Sequence, residues 1–317
     1  MTTEPHYDSE LFDLLIASGD PRESFTPDAV ERRRAEWVAA PIEEIIGDRA
    51  ISHEEREIAG YDGAPIVVSI LRSRSATTPG PGILHVHSGG MMIGTRFVDI
   101  AQVVDWIELC GGVCVSVEYR LAPEHQDPVP IEDSYAALTF MADHAQELGI
   151  DPGLMIVAGM SAGGGIAAGL ALLARDRGGP TLAGQILMCP MIDERNTTES
   201  SRQFAGLGLW DRESNDTGWN ALLGDRRHTD AISIYASPSL ASDLSNLPPT
   251  FIDVGSMEGL RDEVMEYARR IAAAGVSVEM HVWPGAFHGF DLAFPQAALS
   301  RRALAARREW LARVLAG

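Results

Sequence analysis

The segment 159–163, Gly-Met-Ser-Ala-Gly, constrains the fold of this chain more than any other stretch. It follows an apolar run at 154–158 and precedes a helical pattern at 164–177. A G-x-S-x-G pattern between a strand and a helix is typical of a sharp turn that places the serine at the end of the strand. Glycine permits such a turn, and the helix that follows directs free N–H groups toward negative charge near the serine. We therefore expect Ser161 to be a nucleophile.

Strand and helix patterns alternate along most of the chain. Strands are predicted at 55–59, 66–71, 83–87, 113–119, 154–158, 184–189, 250–254 and 277–283, and helices at 97–110, 131–148, 164–177, 261–274 and 296–316. Such alternation predicts an α/β fold with a mostly parallel central sheet flanked by helices. In such folds the active site forms at the carboxyl edge of the sheet.

Two regions fall outside this alternation. Residues 1–50 carry amphipathic patterns at 9–17 and 27–39 but are too few to form a core of their own. Residues 192–239 are polar, are broken by glycines and include Trp210 and Trp219. A stretch this long between two strands is typical of a lid or a helical insertion. We predict N-terminal cap helices at 1–50 and an α/β-hydrolase domain at 51–317, with a cap insertion at about 192–239.

Composition excludes several classes of function. The chain has 45% hydrophobic and 22% charged residues, which is typical of a globular protein, and a formal charge of −20. The negative charge disfavours a nucleic-acid partner or an anionic membrane surface. The first residues do not resemble a signal peptide, and no apolar run is long enough for a membrane anchor. Because its three cysteines lie in apolar stretches, we predict free thiols and a cytoplasmic location.

A serine hydroxyl needs a base to remove its proton, and a carboxylate must hold that base. Three histidines follow Ser161: His228, His281 and His288. His228 lies in the polar region beside two arginines, and His281 alternates within the last strand. His288 lies in a glycine-flanked loop directly after that strand, so we predict that it is the base.

The predicted acid is Glu258, in the loop after the strand 250–254, because this fold type has the order serine, acid, histidine. An acid there would also suit the amino end of the following helix without any catalytic role. Two neighbouring carboxylates compete with it. Asp253 lies inside the strand, where its side chain should point into a covered face, and Asp262 lies on the helix beside Arg261.

Backbone N–H groups must bind the oxyanion that forms during acyl transfer. One predicted donor is Ala162, directly after the serine, and the others are Gly89 and Gly90, in a loop after an early strand. His85 and His87 nearby could suggest a metal site, but no third ligand supports it, so no metal is predicted.

Four methionines, Met91, Met160, Met191 and Met257, fall in loops at the predicted active edge. They either fill the core or form an adaptable apolar wall for the acyl chain. We keep both interpretations and predict that the wall would favour small to medium acyl chains.

The chain resembles the hormone-sensitive-lipase-like esterases of the α/β-hydrolase superfamily from about residue 60 onward. The matching motifs are His-Ser-Gly-Gly at 87–90, Tyr-Arg-Leu-Ala-Pro-Glu at 119–124, Gly-Met-Ser-Ala-Gly-Gly at 159–164, Leu-Arg-Asp-Glu at 260–263 and His-Gly-Phe at 288–290. The resemblance implies the same triad and oxyanion donors, with lids built from the N-terminus and the insertion.

Four positions depart from the usual family pattern. Ser88 and Met91 stand where the family usually has a glycine and an aromatic residue, and Met160 stands where Asp or Thr is usual. Glu258 stands where Asp is commoner, which lengthens the acid by one methylene.

These features predict a serine carboxylesterase that acts on small to medium acyl esters through an acyl-enzyme, without a cofactor. The alternatives are a non-catalytic receptor for a small ligand on the same scaffold, and an amidase or lactonase that uses the same triad. The expected partner is a small ester, and a homodimer stays open.

Overall fold

The computed structural model describes residues 6–19, 24–74 and 79–316. Strands from these residues form one eight-stranded sheet. They are β1 (Ile51–Ala59), β2 (Pro65–Ser73), β3 (Gly80–Val86), β4 (Val113–Val117), β5 (Ile150–Met160), β6 (Gly184–Met188), β7 (Thr250–Gly255) and β8 (Val278–Trp283).

The sheet has the order β1-β2-β4-β3-β5-β6-β7-β8. β2 pairs antiparallel with both neighbours, and every pairing from β4 to β8 is parallel. All residues of β4, β6 and β7 are buried, as expected for parallel strands covered on both faces. The loops after β3, β5, β7 and β8 therefore meet at one edge.

Helices flank this sheet and connect its strands. They are α1 (Ser9–Ala17), α2 (Val30–Glu36), α3 (Ile42–Ile46), α4 (Ala101–Cys110), α5 (Val129–Asp143), α6 (Ala145–Leu148), α7 (Ala162–Arg177), α8 (Glu199–Gln203), α9 (Arg212–Leu223), α10 (Arg261–Ala273), α11 (Phe290–Ala293) and α12 (Ala298–Ala316). α4 contacts α12 and strands β2 to β4, whereas α5 contacts α7, β3 and β4. The predicted α/β class and mostly parallel sheet are confirmed. In the described part of the chain no helix has both the length and the apolarity needed to cross a bilayer.

Several predicted boundaries are wrong. The helix predicted at 97–110 begins at Ala101, because Asp99 has a positive φ of 54° that is incompatible with a helix. The helix predicted at 131–148 divides into α5 and α6, because His144 leaves the helical conformation. β3 begins at Gly80, three residues before the start predicted for this strand.

The described residues among the first fifty lie in two different places. In α1, Leu11 and Leu15 pack with Trp283 and Phe287, beside the loop that follows β8. We call residues 24–50 the N-terminal segment and residues 192–239, between β6 and β7, the insertion. The N-terminal segment contacts the insertion. Ser24 Oγ, for example, donates to Asp211 Oδ2 at 2.8 Å.

Candidate active site

Ser161 lies in the turn between β5 and α7. Its backbone has φ 54° and ψ −118°, a conformation that residues other than glycine rarely adopt. The flanking glycines explain how this strained turn is tolerated. A Cβ at Gly159 would lie 2.3 Å from the backbone of Gly163, and one at Gly163 would lie 2.0 Å from Val86 O. Both positions exclude any other residue, so the strand, the turn and the helix can close tightly around the serine.

Ser161, His288 and Glu258 form one continuous hydrogen-bonded chain. His288 Nε2 lies 2.9 Å from Ser161 Oγ, and His288 Nδ1 lies 2.5 Å from Glu258 Oε2. The other carboxylate oxygen, Glu258 Oε1, accepts the Gly255 N–H at 2.7 Å. Because Glu258 is fixed at both oxygens, the imidazole ring is held with Nδ1 toward the acid and Nε2 toward the serine.

Backbone contacts join the loops that carry the acid and the histidine. The Met257 N–H donates to Ala286 O at 2.9 Å, and the Gly285 N–H donates to Ser256 Oγ at 2.8 Å. From outside, the Asp8 N–H donates to Gly285 O at 3.0 Å. The start of α1 therefore supports the loop that leads to His288.

The two competing carboxylates have other partners. Asp253 is buried, and its Oδ2 accepts from Arg307 Nε at 2.9 Å; burial raises the pKa of this carboxyl. Asp262 accepts from Arg261 Nε at 2.8 Å and from the Ser200 N–H at 2.8 Å. None of these hydrogen bonds involves the imidazole ring of His288. As predicted, Asp253 lies in a strand, β7, and Asp262 lies in a helix, α10.

The other two histidines that follow Ser161 in the sequence, His228 and His281, contact residues other than the serine. The side chain of His228 is 60% exposed, and its Nδ1 lies 3.2 Å from Glu194 Oε2. His281 stacks between the rings of Phe251 and Trp283. Of the three candidates, the structure brings only His288 to the serine.

Two of the three predicted oxyanion donors, Gly89 and Gly90, lie in the loop after β3, and the third, Ala162, directly follows Ser161. The loop glycines line the same cavity as Ser161, and both have positive φ, 119° and 60°. A Cβ at Gly89 would lie 2.0 Å from Ile93 O, and one at Gly90 would lie 2.3 Å from the ring of Trp210. Ala162 begins α7, so its N–H has no acceptor within the helix and can donate to a ligand.

A cavity of about 700 Å³ opens over Ser161 and His288. Most of its lining is apolar, with large side chains from the N-terminal segment, the insertion and the main domain: Phe25, Trp37, Phe97, Leu209 and Trp210. The sequence patterns indicate Trp210 only as part of a polar insertion, and they do not identify the other four as cavity residues. A large aromatic residue in a polar, glycine-rich stretch was the available signal.

The predicted methionine wall is wrong for three of its four members. Among the described residues that line the cavity, Met160 is present but Met91, Met191 and Met257 are not. Their side chains are buried elsewhere, with exposures of 1%, 0% and 4%. Met91 and Met191 belong to the main hydrophobic core, and Met257 is buried on the loop that follows β7.

One cluster within the described residues has the donor atoms for a metal ion: Cys189, Glu258 and His288, with one atom of each within 4.8 Å of the others. Two of its members already bind each other in the chain that ends at Ser161. Burial, and then the charge of Glu258, raise the pKa of the Cys189 thiol well above its usual value, which disfavours the thiolate that a metal would need. The geometry therefore fits a serine nucleophile and its base better than a metal centre.

A family model described as an alpha/beta hydrolase fold matches residues 83–292. The chain belongs to this α/β-hydrolase family. The protein from Mycobacterium tuberculosis named Carboxylesterase NlhH is 39% identical over 267 residues, which cover 81% of this chain and 82% of the relative.

Solved structures agree with this assignment. A bacterial heroin esterase is 38% identical, with a TM-score of 0.90 and 99% of each chain covered. The esterase LipW from Mycobacterium marinum is 32% identical, with a TM-score of 0.85 and 98% of each chain covered. The resemblance to hormone-sensitive-lipase-like esterases is confirmed, and this α/β hydrolase is a carboxylic ester hydrolase.

Proposed function

We propose that Ser161 is the nucleophile, His288 the general base and Glu258 the orienting acid in the hydrolysis of carboxylic esters. The observation that carries this proposal is the hydrogen-bonded chain from Glu258 through His288 to Ser161, with distances of 2.5 and 2.9 Å. It connects a buried carboxylate to a hydroxyl at the floor of a large cavity, which is the arrangement that activates a serine.

The reaction has two halves. As Ser161 Oγ bonds to the carbonyl carbon, His288 Nε2 takes its proton, and Glu258 stabilises the imidazolium through Nδ1. The N–H groups of Gly89, Gly90 and Ala162 bind the oxyanion. The carbon–oxygen bond to the alcohol then breaks, and the alcohol leaves with the proton from Nε2. In the second half His288 Nε2 takes a proton from a water as the water oxygen bonds to the acyl carbon. The bond from that carbon to Ser161 Oγ then breaks, Nε2 returns the proton to Oγ, and the acid leaves. No step requires a cofactor or a metal.

We propose that the preferred substrates are esters of small to medium acyl chain. A cavity of about 700 Å³ is of the size that encloses most of a drug-sized ligand. Aromatic side chains from the N-terminal segment and the insertion bound this space, so a long extended chain has less room than a compact ester. Slower hydrolysis of p-nitrophenyl palmitate than of p-nitrophenyl butyrate is the expected result, and the reverse order would contradict it.

The division into N-terminal cap helices at 1–50 and a hydrolase domain at 51–317, with a cap insertion at about 192–239, is also a proposal. Its support is that Phe25 and Trp37 from the first region and Trp210 from the second line the cavity. The two regions also bind each other, because the Phe25 N–H donates to Ser214 Oγ at 2.8 Å. Of the N-terminal helices, α1 supports the His288 loop and the rest form the cap.

Two further proposals concern the setting of the enzyme. A cytoplasmic location is supported by the three cysteines, Cys110, Cys114 and Cys189, which are all free. The support for a homodimer is that β1 and β8 end the sheet of the described residues on its two sides, because an edge strand can pair with a strand of a second copy. Light scattering of the purified protein measures its mass directly.

The test of function is hydrolysis of p-nitrophenyl butyrate by the purified protein, with Ser161→Ala as the comparison. We expect a burst of p-nitrophenol as the acyl-enzyme forms, and a loss of about 10³–10⁶ in kcat in the variant. Mass spectrometry of the protein treated with a fluorophosphonate should place the label on Ser161. Binding without turnover would instead indicate the receptor, and faster cleavage of matched amides or lactones would indicate those activities.

A further inference from the structure

A buried pair, His85 and Asp99, lies directly behind the loop that carries the proposed oxyanion donors. His85 Nε2 is 2.5 Å from Asp99 Oδ1, and both side chains are completely buried. The other oxygen, Asp99 Oδ2, accepts the Ser88 N–H at 3.0 Å. Because Ser88 directly precedes Gly89, this carboxylate ties the start of the loop to β3, which carries His85.

Hydrogen-bond partners fix the orientation of the His85 ring. Ser116 Oγ has a single proton, which it donates to Arg96 O at 2.6 Å. His85 Nδ1, at 2.8 Å from Ser116 Oγ, must therefore carry a proton and donate it. That leaves Nε2 facing Asp99, with one proton shared between the two groups. The ring cannot rotate without losing both partners, and neither side chain of the pair is exposed.

Asp99 has an unusual backbone for a residue with a side chain. Its φ of 54° lies in the left-handed region, just before α4 begins. Such a conformation costs free energy and persists only where the surroundings hold it in place. Here the conformation places one carboxylate oxygen on His85 and the other on Ser88, so the strain accompanies a specific pair of contacts.

A second set of contacts holds the other side of the loop. The Tyr119 hydroxyl donates to His87 O at 2.9 Å, and the Tyr119 and His87 rings are stacked with centroids 4.2 Å apart. The loop is thus bound through the carbonyl of residue 87 and the N–H of residue 88. Of the two contacts, that from Asp99 is the nearer in sequence to the donors Gly89 and Gly90.

We propose that Asp99, held by His85, is a positioning residue that aims the Gly89 and Gly90 N–H groups at the oxyanion. The proposal rests on the proposed role of these glycines. An oxyanion donor must lie about 2.7–3.1 Å from the developing charge, and a displacement of about 1 Å can cost about 10²-fold in rate. Asp99 does not touch the reacting atoms; it acts through the backbone of Ser88.

The test compares Asp99→Gly with Asp99→Asn. Glycine tolerates the positive φ but removes both contacts, so we expect kcat to fall about 10²-fold with a much smaller change in KM. Asparagine can keep every contact, because its oxygen accepts from Ser88 and its amide donates to a neutral His85 Nε2. We therefore expect Asp99→Asn to recover most of the lost kcat.

An alkyl trifluoromethyl ketone gives a readout that a role in stability alone would not change. It forms a tetrahedral adduct with the serine, so its affinity depends on the oxyanion donors. We expect its inhibition constant to rise in Asp99→Gly by the same factor as kcat falls. The matched control is Asp133→Asn, which alters another buried aspartate that accepts a backbone N–H, from Tyr61 at 2.9 Å. It should lower the melting temperature without changing kcat per active site.

The outcomes separate the possible roles. If Asp99→Gly does not fold, Asp99→Ser takes its place, because one hydroxyl can still bind His85 while one of the two carboxylate contacts is lost. A folded Asp99→Gly or Asp99→Ser with kcat and ketone affinity near those of the wild type overturns the proposal. An equal loss in Asp99→Asn also overturns it, because the charge and not the contact would then matter. Failure of the proposed function is distinct, since the wild-type protein itself would not hydrolyse the ester.

Discussion

The two walls of the cavity are held in different ways. The sheet edge, which carries Ser161, Glu258 and His288, is fixed by close backbone contacts: a Cβ at Gly163 or Gly255 would lie 2.0 or 2.3 Å from a carbonyl oxygen. The proposed cap, formed by the N-terminal segment and the insertion, is held in part by long side chains that reach backbone oxygens. Substitutions at the sheet edge should therefore be poorly tolerated, whereas single side chains of the second wall can be replaced one at a time. Chemistry and substrate choice should therefore respond to mutation separately.

Arg34 is the clearest example of how the cap is held. From α2 its Nε donates to Met92 O at 2.7 Å, its Nη2 donates to Ala122 O at 2.8 Å, and both Nη atoms bind Glu124 at 2.8 Å. In the insertion, Arg227 similarly donates to Glu194 O at 2.7 Å.

The largest expected effect is on the sheet edge, from Glu258→Gln. An amide cannot stabilise the imidazolium of His288, and it allows the wrong tautomer, so we expect kcat to fall by about 10⁴-fold. Glu258→Asp keeps the charge with one methylene fewer and should retain part of the activity. Steady-state kinetics with p-nitrophenyl butyrate measure both.

Asp262→Asn is the matched control, because Asp262 lies nearby but binds Arg261 and Ser200. It should change stability more than kcat. If Asp262→Asn removes catalysis in a folded protein and Glu258→Gln spares it, the acid has been assigned to the wrong residue.

The next effect compares one glycine in each wall. Gly163→Ala places a methyl group 2.0 Å from Val86 O, and neither backbone can move away without opening the elbow. We expect a loss of stability of more than about 4 kcal/mol, or an inactive protein. In Gly208→Ala, in the insertion, the added methyl group has no atom within 4 Å. The only cost is the backbone strain of a positive φ, 82°, in a residue with a side chain. That change should cost about 1–2 kcal/mol. Urea unfolding of the two variants tests the comparison, and similar losses would contradict it.

This contrast explains what could be predicted from the sequence. The elbow, the succession of strands and helices along the chain and the three residues of the Ser161 chain follow from local signals: apolar periodicity, paired glycines and loops directly after strands. The predicted start of α4 is wrong because Asp99 has a non-helical backbone conformation that accompanies its contacts with His85 and Ser88. These partners are 14 and 11 residues away in the sequence, so no local pattern indicates them. The methionines were placed on the correct loops, but side-chain direction in a loop depends on tertiary packing. For the same reason the cap aromatics in the cavity could not be identified.

Arg34→Met should have a smaller effect that is confined to the cap. It keeps much of the side-chain volume but removes the contacts that hold α2 beside the loop at 89–93. We expect KM for an ester that fills the cavity to rise by about tenfold, with a small change in kcat, because the triad lies on the other wall. Arg269→Met is the control, since Arg269 pairs with Glu266 on the exposed surface of α10 at 2.7 Å and neither residue lines the cavity. Equal effects on kcat in both variants would mean that the walls are not independent.

The smallest expected effect is the pH dependence of the contact between Arg34 and Glu124. The hydrogen bond from Arg34 lowers the pKa of the Glu124 carboxyl from 4.5 to about 2. Since the folded-state pKa is the lower one, the contact stabilises the protein above pH 4.5, and this contribution is lost as the pH falls from 4.5 toward about 2. The Glu124 side chain is 56% exposed, so screening by solvent should limit the contribution to about 1 kcal/mol or less. Urea unfolding of wild type and Glu124→Gln should differ slightly near neutral pH and converge in acid. A difference that grows as the pH falls would show that this contact does not hold the cap.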